Sequence, residues 1–224
     1  MKAKAGNSGV ILSLLLILPL LFILSLLFIS CNTNHKNADV FSIPLKHIGD
    51  QNGHFKSQIL NPESQIPNPN SQLFASFHLP LQTSVIIFLS PSCPMCQNYS
   101  LVLNQLNDHY KEKGIAFYGI FSGQERDTLE QKTFAKTYKI NFDLLLDEKK
   151  QLANNLHATI TPEVFLIDTN KEIIYKGSID NWLIEPGKKR SIVTEHYLED
   201  ALWAVTSGNK IKISSTEAKG CLIE

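Results

Sequence analysis

The chain has 224 residues with 21 basic and 21 acidic side chains, so its formal net charge is zero. Hydrophobic residues make up 43% of the sequence, enough to build one domain with its own core. The even charge excludes the basic footprint of a nucleic-acid-binding protein, so no nucleic-acid partner is expected. It also excludes the acidic, aromatic-poor composition of a disordered chain. Four cysteines are too few for a disulfide-built scaffold of this length.

The first thirty residues predict an export signal. Lys2 and Lys4 precede an apolar run over residues 10–29, and a short basic head followed by a long apolar stretch is typical of exported proteins. The run is also long enough to cross a bilayer, so an uncleaved membrane anchor is the alternative. On either interpretation, the rest of the chain is expected outside the cytoplasm, attached to a membrane of the bacterial cell envelope.

The residues that follow the apolar run indicate a lipid anchor. Phe28-Ile29-Ser30-Cys31 resembles a bacterial lipobox, in which a small residue precedes an acylated cysteine, although Phe28 stands where leucine is usual. The resemblance implies cleavage before Cys31, with residues 1–30 as a lipoprotein signal. Each buried CH₂ group of an acyl chain contributes about 0.8 kcal/mol, so several chains on Cys31 would hold the protein firmly at a membrane.

Strand and helix patterns alternate through a main domain at 81–208, between a tether and N-terminal edge segment at 31–80 and a C-terminal tail at 209–224. Residues 85–89 are a continuous apolar run rich in β-branched residues, typical of a strand buried on both faces. The order of patterns predicts an α/β fold with a mixed central sheet flanked by helices. Further strands are predicted at 41–45, 115–121, 142–145, 163–168 and 172–176, and helices at 101–110, 125–138, 148–156 and 192–206.

A pair of cysteines directly follows the buried strand, where a helix begins. In Cys93-Pro94-Met95-Cys96, two cysteines separated by two residues can close a disulfide across one helical turn. Unpaired N–H groups and the helix dipole favour a thiolate on the first cysteine, so Cys93 is the expected nucleophile. Cys96 is expected to resolve the mixed disulfide. Pro94 and Met95 are expected to influence the reduction potential and to contact the substrate.

Two other interpretations of the cysteine pair are a metal site and an inert structural disulfide. A zinc site needs a second ligand pair at suitable spacing. The sequence has no second Cys-x-x-Cys and no histidine pair with finger-like spacing. A purely structural bridge has no need of a strand–helix junction, so the position favours redox chemistry.

A second signal is Thr161-Pro162, just before a predicted strand. One interpretation is an ordinary proline at the start of a strand. The other is a cis peptide bond, which the cysteine pair upstream favours. A cis bond at Pro162 would leave the Thr161 backbone free to pair with an incoming substrate strand opposite the cysteines.

The order of strand, Cys93 to Cys96, helix and then Thr161-Pro162 resembles the thioredoxin superfamily. The long interval between Cys93 and Pro162 is similar to the redoxin branch, with its AhpC/TSA and TlpA/ResA-like proteins, which carries an extra central strand–helix unit, here about 125–156. The resemblance implies an extracytoplasmic thiol–disulfide oxidoreductase with a redox-active Cys93–Cys96 disulfide and neither organic cofactor nor metal. Implied partners are a membrane reductant and exported thiol proteins, cytochrome c apoproteins among them; the protein is expected to be a monomer.

The sequence departs from thioredoxins at two positions. Ser92 stands where tryptophan is usual, and Ile87 stands where a buried acid is usual. The proton acceptor for Cys96 must therefore come from elsewhere or be water. Glu163, next to the expected cis-proline, is the nearest candidate, if burial raises its pKa. A surface glutamate at the start of a strand is the alternative.

Gly220-Cys221 near the end of the sequence resembles the Gly-Cys motif that closes a subgroup of bacterial redoxin proteins. The resemblance implies that Cys221 is a third redox thiol that reaches the active site or a partner. The alternative is a free cysteine in the tail without a role.

Two other functions remain as alternatives. A peroxiredoxin-like thiol peroxidase uses one cysteine in a Pro-x-x-x-Thr-x-x-Cys pattern, which Ser90 and Ile86 interrupt here. A copper-binding redoxin would have three residues between its cysteines and a downstream histidine, whereas Cys93 and Cys96 have two between them. The pattern therefore favours disulfide exchange over both.

Overall fold

The computed structural model describes residues 43–48, 76–77, 82–123, 128–185 and 187–223. All of them lie in Asp39–Glu224, one of the two units into which the chain divides. Within these ranges, no helix combines the length and apolar character needed to cross a bilayer. The expectations for the signal, for Cys31 and for most of the tether concern residues outside these ranges, so they stay predictions.

Strands and helices alternate along the described chain, which confirms the α/β class. The first half contains β1 (Ile43–Pro44), β2 (Lys46–His47), β3 (Ser76–Phe77), β4 (Ser84–Leu89), α1 (Pro94–Tyr110), a 3-10 turn (Lys111–Lys113), β5 (Ala116–Ser122) and α2 (Leu129–Thr137). The second half contains β6 (Asp143–Asp147), α3 (Gln151–Leu156), β7 (Ile160–Thr161), β8 (Glu163–Ile167), β9 (Ile173–Gly177), β10 (Leu183–Glu185), β11 (Lys188–Lys189), α4 (Tyr197–Thr206) and β12 (Cys221–Leu222).

The central sheet has six strands in the order β2-β6-β5-β4-β8-β9. Strands β4, β5 and β6 run parallel, whereas β8 is antiparallel to β4, β9 to β8 and β2 to β6. The sheet is therefore mixed, with β4 in its interior. The strand β6 and helix α2 lie where the sequence predicted an extra central strand–helix unit, and β8 and β9, at two neighbouring predicted strands, form a hairpin.

Strand β4 is buried along its whole length because both faces of the sheet are covered. Val85, Ile87 and Leu89 pack into a core shared with α1, α2 and α4. Ile86 and Phe88 point to the opposite face and pack with residues of α3. This two-sided burial explains why β4 reads as an unbroken apolar run rather than an alternating one.

Helix α1 is held against the sheet by side chains that recur at helical spacing. Tyr99, Leu103, Leu106 and Tyr110 are buried, and successive positions are three or four apart. Gly114 then ends the segment with φ of 79°, a left-handed conformation that glycine adopts without steric cost. The packed face of α1 fixes the position of its first turn, where the cysteine pair lies.

The last two helices begin later than the sequence predicted. The third helix begins at Gln151 and not at 148, because Lys150 has a left-handed φ of 54°. The last helix begins at Tyr197 and not at 192, because Asn181 holds the preceding residues in an irregular loop: its N–H donates to the Glu195 carbonyl at 3.1 Å, and its Oδ1 accepts the Thr194 N–H at 3.1 Å.

Candidate active site

Cys93 lies at the junction between β4 and α1. It is the N-cap residue of the helix, with an extended φ of −80° and ψ of 114°, and Pro94 follows in the first turn. Proline suits this position because the first N–H groups of a helix have no intrahelical partner. The Cys93 side chain is 1% exposed, and its Sγ lies 3.2 Å from the Thr161 carbonyl oxygen. The expected nucleophile therefore faces the residue that precedes Pro162.

Cys96 lies one turn into α1 and is fully buried in the core. The Ser90 N–H donates to its Sγ at 3.4 Å. Burial raises the pKa of Cys96 to about 12, although hydrogen bonds from the Ser90 backbone and the Thr161 side chain lower it in part. The thiol is therefore protonated at neutral pH, and its conversion to an attacking thiolate requires a proton acceptor.

The Thr161–Pro162 peptide bond is cis, which confirms the sequence prediction. The two-residue strand that ends at this bond, β7, pairs antiparallel with β12, so that Cys221 lies opposite Thr161 and Leu222 opposite Ile160. The Ile223 N–H extends the ladder by donating to the Thr159 carbonyl at 2.9 Å. The edge at which the sequence predicted an incoming substrate strand thus carries a strand of the protein itself.

The structure joins Cys93 to Cys221 in a disulfide, with Cα atoms 6.0 Å apart and the two residues 128 positions apart in sequence. Cys96 is a free, buried thiol. The sequence analysis expected the disulfide between Cys93 and Cys96 instead. The difference arises because β12 runs along Thr161, whose carbonyl oxygen already lies beside the Cys93 sulfur. Exchange between Cys93 and Cys96 stays a prediction.

Thr161 contacts each of the three cysteines in the described part of the chain. Its carbonyl oxygen lies beside Cys93, its hydroxyl hydrogen-bonds Cys96, and the same hydroxyl donates to the Cys221 carbonyl at 3.4 Å. Sequence reasoning assigned a role to the Thr161 backbone only and missed its hydroxyl. The signal available was a hydroxyl-bearing residue directly before the expected cis-proline.

Glu163 is half-buried at the start of β8. Burial raises its pKa, while hydrogen bonds from the Thr159 and Ile160 backbone and the charge of Lys176 lower it. The hydrogen bond described for its side chain joins Oε2 to the Thr159 N–H at 3.2 Å. The raised pKa agrees with the property required of a proton acceptor, whereas transfer of a proton from Cys96 to Glu163 stays a prediction.

A cleft of about 540 Å³ opens beside the Cys93–Cys221 disulfide. Because Cys93 lines this cleft, a substrate sulfur can approach the Cys93 sulfur through it. Of the four expected substrate-contacting residues, Thr161 lines the cleft, whereas Pro162, Pro94 and Met95 do not; Pro94 is exposed, and Met95 packs against the core. The lining residues are Leu89, Ser90, Ser92, Cys93, Ser122, Gly123, Lys150, Thr161, Cys221, Leu222 and Ile223.

The arrangement provides three sulfur atoms around one backbone segment, which is sufficient for exchange of disulfide bonds. Among the described residues, no group of three or more His, Cys, Asp or Glu side chains is placed to hold a metal ion. A mixed sheet with a cysteine pair at a strand–helix junction and a cis-proline beside it defines a thioredoxin-like, thiol-dependent oxidoreductase.

The AhpC/TSA family matches residues 62–176, just over half of the chain. The chain therefore belongs to the AhpC/TSA family, which confirms the redoxin resemblance seen in the sequence.

Solved structures support the fold. An uncharacterized conserved protein from Geobacillus kaustophilus is 24% identical, covering 64% of this chain and 77% of its own, with a TM-score of 0.56. A hypothetical protein from Sinorhizobium meliloti 1021 is 26% identical over 63% of this chain and 78% of its own, with a TM-score of 0.54. No protein of curated function matches the chain significantly.

Proposed function

We propose that the protein is an extracytoplasmic, membrane-anchored thiol–disulfide oxidoreductase that exchanges disulfides with protein partners. The observation that carries the proposal is the position of Cys93, at the N-terminus of α1 with its sulfur 3.2 Å from the backbone oxygen of Thr161, directly before the cis-proline. The family membership and the buried second thiol one turn away support the same chemistry.

In the proposed reaction, the Cys93 thiolate attacks one sulfur of a substrate disulfide. The substrate S–S bond breaks, its other sulfur leaves and takes a proton, and Cys93 is joined to the substrate in a mixed disulfide. Cys96, once deprotonated, attacks the Cys93 sulfur and releases the second substrate thiol. The substrate gains two electrons, the cysteine pair loses them as a Cys93–Cys96 disulfide, and a membrane reductant returns them.

Removal of the Cys96 proton is the difficult step, because burial raises the pKa of this thiol to about 12. The Ser90 N–H and the Thr161 hydroxyl stabilise the thiolate as it forms, since both lower that pKa. Glu163, whose own pKa is raised by burial, or a water molecule in the cleft takes the proton. Thr161 therefore contacts both cysteines of the pair: its carbonyl oxygen lies beside Cys93, and its hydroxyl hydrogen-bonds Cys96.

The proposed location rests on the first part of the sequence. The basic head and apolar run at 10–29 and the lipobox-like residues that end at Cys31 support export and a lipid anchor, with an uncleaved signal anchor as the alternative. A domain attached in this way would act as a monomer on exported thiol proteins, with cytochrome c apoproteins among the candidates.

The test is a redox titration of the full-length protein in detergent, in glutathione buffers, with each disulfide mapped by alkylation and mass spectrometry. We expect Cys93 to form a disulfide with Cys96 over part of the titration. A potential of about −270 mV would indicate a reductase, and one of about −120 mV an oxidant of exported proteins. If Cys93 exchanges neither with glutathione nor with a protein disulfide, the proposed function is wrong.

Peroxide reduction is the second candidate, because the AhpC/TSA match is shared with the peroxiredoxin-related redoxins that the sequence resembles. A peroxidase of this kind would need Cys93 as the attacking thiol and would not need Cys96 in that attack. Hydrogen peroxide consumption that persists in Cys96→Ser and disappears in Cys93→Ser, without turnover of protein disulfides, would replace the first candidate by the second.

A further inference from the structure

We infer that residues 214–223, called here the tail segment, act as an intramolecular substrate in which Cys221 is a third exchange thiol. Cys221 would pass the electron pair between Cys93 and an external protein disulfide. The inference rests on the proposed function and extends it. Its basis is that the tail segment occupies the backbone edge beside the nucleophile and is joined to that nucleophile by a disulfide.

The first half of the tail segment is attached to the outer edge of the central sheet. The Lys176 N–H donates to the Ser214 carbonyl at 3.1 Å, and the Thr216 N–H donates to the Lys176 carbonyl at 2.9 Å. The Thr216 hydroxyl accepts the Ser178 N–H at 2.9 Å and lies 2.8 Å from the hydroxyl of the buried Tyr175. These contacts fix the path of the tail segment before it reaches the active site.

The second half lies along β7 and requires a glycine directly before Cys221. A Cβ atom on Gly220 would lie 2.1 Å from the Thr161 carbonyl oxygen. This is a steric clash with the backbone, which cannot be relieved by rotating a side chain. Gly220 therefore allows the tail backbone to approach Thr161 closely enough for Cys221 to reach Cys93. The Gly-Cys pair that the sequence analysis noted is explained by this close approach.

The tail segment contacts the active site in the way expected of an extended substrate. It pairs with β7 through main-chain hydrogen bonds, a mode of recognition that extended peptides of many sequences share. Leu222, beside the cysteine, is 72% exposed and adds little burial. Cys221 itself is half-buried and lines the cleft. While the tail segment is paired with Thr161, an external strand cannot pair there, so a partner disulfide must react with Cys221 after its release.

The release step is balanced within the molecule. The Cys96 thiolate attacks the Cys93 sulfur, the Cys93–Cys96 bond forms, and the Cys93–Cys221 bond breaks. The electron pair of the broken bond leaves on Cys221, which takes a proton equivalent to the one that Cys96 lost. No net oxidation occurs. For substrate reduction, the membrane reductant of the proposed function first supplies two electrons that reduce the Cys93–Cys96 disulfide. The released Cys221, as a thiolate, attacks a partner disulfide and expels one partner thiol. The Cys93 thiolate then attacks the Cys221 sulfur of the mixed disulfide, which releases the second partner thiol and re-forms the Cys93–Cys221 disulfide.

The first test maps disulfides in full-length Cys96→Ser after titration in glutathione buffers and rapid acid quenching. We expect the Cys93–Cys221 disulfide to predominate over the Cys93–glutathione adduct. In Cys96→Ser/Gly220→Ala, we expect the ratio of the two to fall at least about tenfold, because the added Cβ overlaps the Thr161 carbonyl. Cys96→Ser/Glu217→Ala is the matched control, with an exposed side chain altered in the same segment, and should behave as Cys96→Ser.

Three outcomes of this mapping have distinct meanings. A glutathione adduct on Cys93 without any Cys93–Cys221 disulfide overturns the inference and leaves the proposed function intact. An unchanged ratio in the Gly220→Ala background also overturns it, because the docked course of the tail segment would then be irrelevant to the bond. A Cys93 that forms neither adduct nor disulfide contradicts the proposed function itself.

The second test measures turnover, since a merely structural disulfide would not carry electrons. In Cys221→Ser, we expect reduction of a protein disulfide to fall at least about tenfold, while Cys93 of the fully reduced variant still forms an adduct with glutathione disulfide. Turnover that is unchanged, or that rises because the edge of Thr161 has been freed, overturns the role of Cys221 as an exchange thiol.

Discussion

Cys93 has two possible sulfur partners, and they belong to very different parts of the molecule. Cys96 belongs to the first turn of α1, is fully buried and sits within the main core. Cys221 belongs to a two-residue strand at the surface, positioned by a few main-chain hydrogen bonds and by Gly220. The first partner is held by the packing of the whole domain and the second by local contacts. The difference supports the proposed roles, in which Cys96 is a fixed resolving thiol and Cys221 a releasable exchange thiol for the nucleophile Cys93.

The substitution with the largest expected effect removes the sulfur that both partners share. Cys93→Ser should lower kcat/KM for protein disulfide reduction at least about 1,000-fold, because no other described thiol occupies the helix N-terminus. The measurement is turnover of a protein disulfide by the full-length protein. Cys96→Ser is the informative partner variant, since it should accumulate a mixed disulfide instead of losing the first step. Measurable turnover by Cys93→Ser would contradict the assignment of Cys93 as the nucleophile.

The pH dependence of Cys96 alkylation tests how deeply this thiol is buried. In Cys93→Ser/Cys221→Ser, alkylation of Cys96 should rise about tenfold per pH unit until the pH approaches 12, because burial raises the pKa of Cys96 to about 12 and the thiolate is the reacting form. The folded state favours the neutral thiol, so the stability gained from it is present below pH 9 and is lost as the pH rises towards 12. A plateau in the alkylation rate near pH 9 would contradict the buried position.

The position of Cys96 depends on how α1 packs against the core. Two leucines of α1, one buried and one exposed, test this packing. Leu103 is fully buried, so Leu103→Ala should lower the free energy of unfolding by about 2–5 kcal/mol. Leu101, two positions earlier, is 66% exposed, and Leu101→Ala should change it by less than about 0.5 kcal/mol. Chemical denaturation of both variants measures the difference. Equal effects would mean that α1 is not fixed by its packed face.

The tail segment should contribute less to stability than the packed face of α1. Thr216→Val removes the acceptor of the Ser178 N–H and the partner of the Tyr175 hydroxyl, which should cost about 1–2 kcal/mol. Ser215→Ala, at an exposed neighbouring position, is the control. Hydrogen exchange at residues 214–223 should also accelerate in Thr216→Val. If exchange there is unaffected, Thr216 does not hold the tail segment to the sheet.

The long elements of the fold were predictable because each carries its own pattern. The unbroken apolar run of β4 and the spaced leucines of α1 reflect burial that is local in sequence. The cis bond at Pro162 was predictable from its place after the cysteine pair. The start of the last helix was missed, because hydrogen bonds from Asn181 determine it, and Asn181 is distant in sequence.

The pairing of Cys93 with Cys221 could not be predicted from the sequence for a similar reason. A two-residue strand has no periodicity, and β12 forms only because Ile160 and Thr161 offer free main-chain groups. A separation of 128 positions between the two cysteines gives no local signal. The hydroxyl of Thr161 and the N–H of Ser90 were missed as well, since their contacts with Cys96 depend on how β4, α1 and β7 meet.

The tail segment also covers part of an open sheet edge. Strand β9 is the last strand of the sheet, and the outward-facing main-chain groups of Lys176 are bonded to Ser214 and Thr216. An uncovered strand at this position would be a template for pairing with a second copy of the chain. The residues that bring a cysteine to the active site thus also occupy part of this edge, and we expect a chain shortened before Ser214 to self-associate more readily.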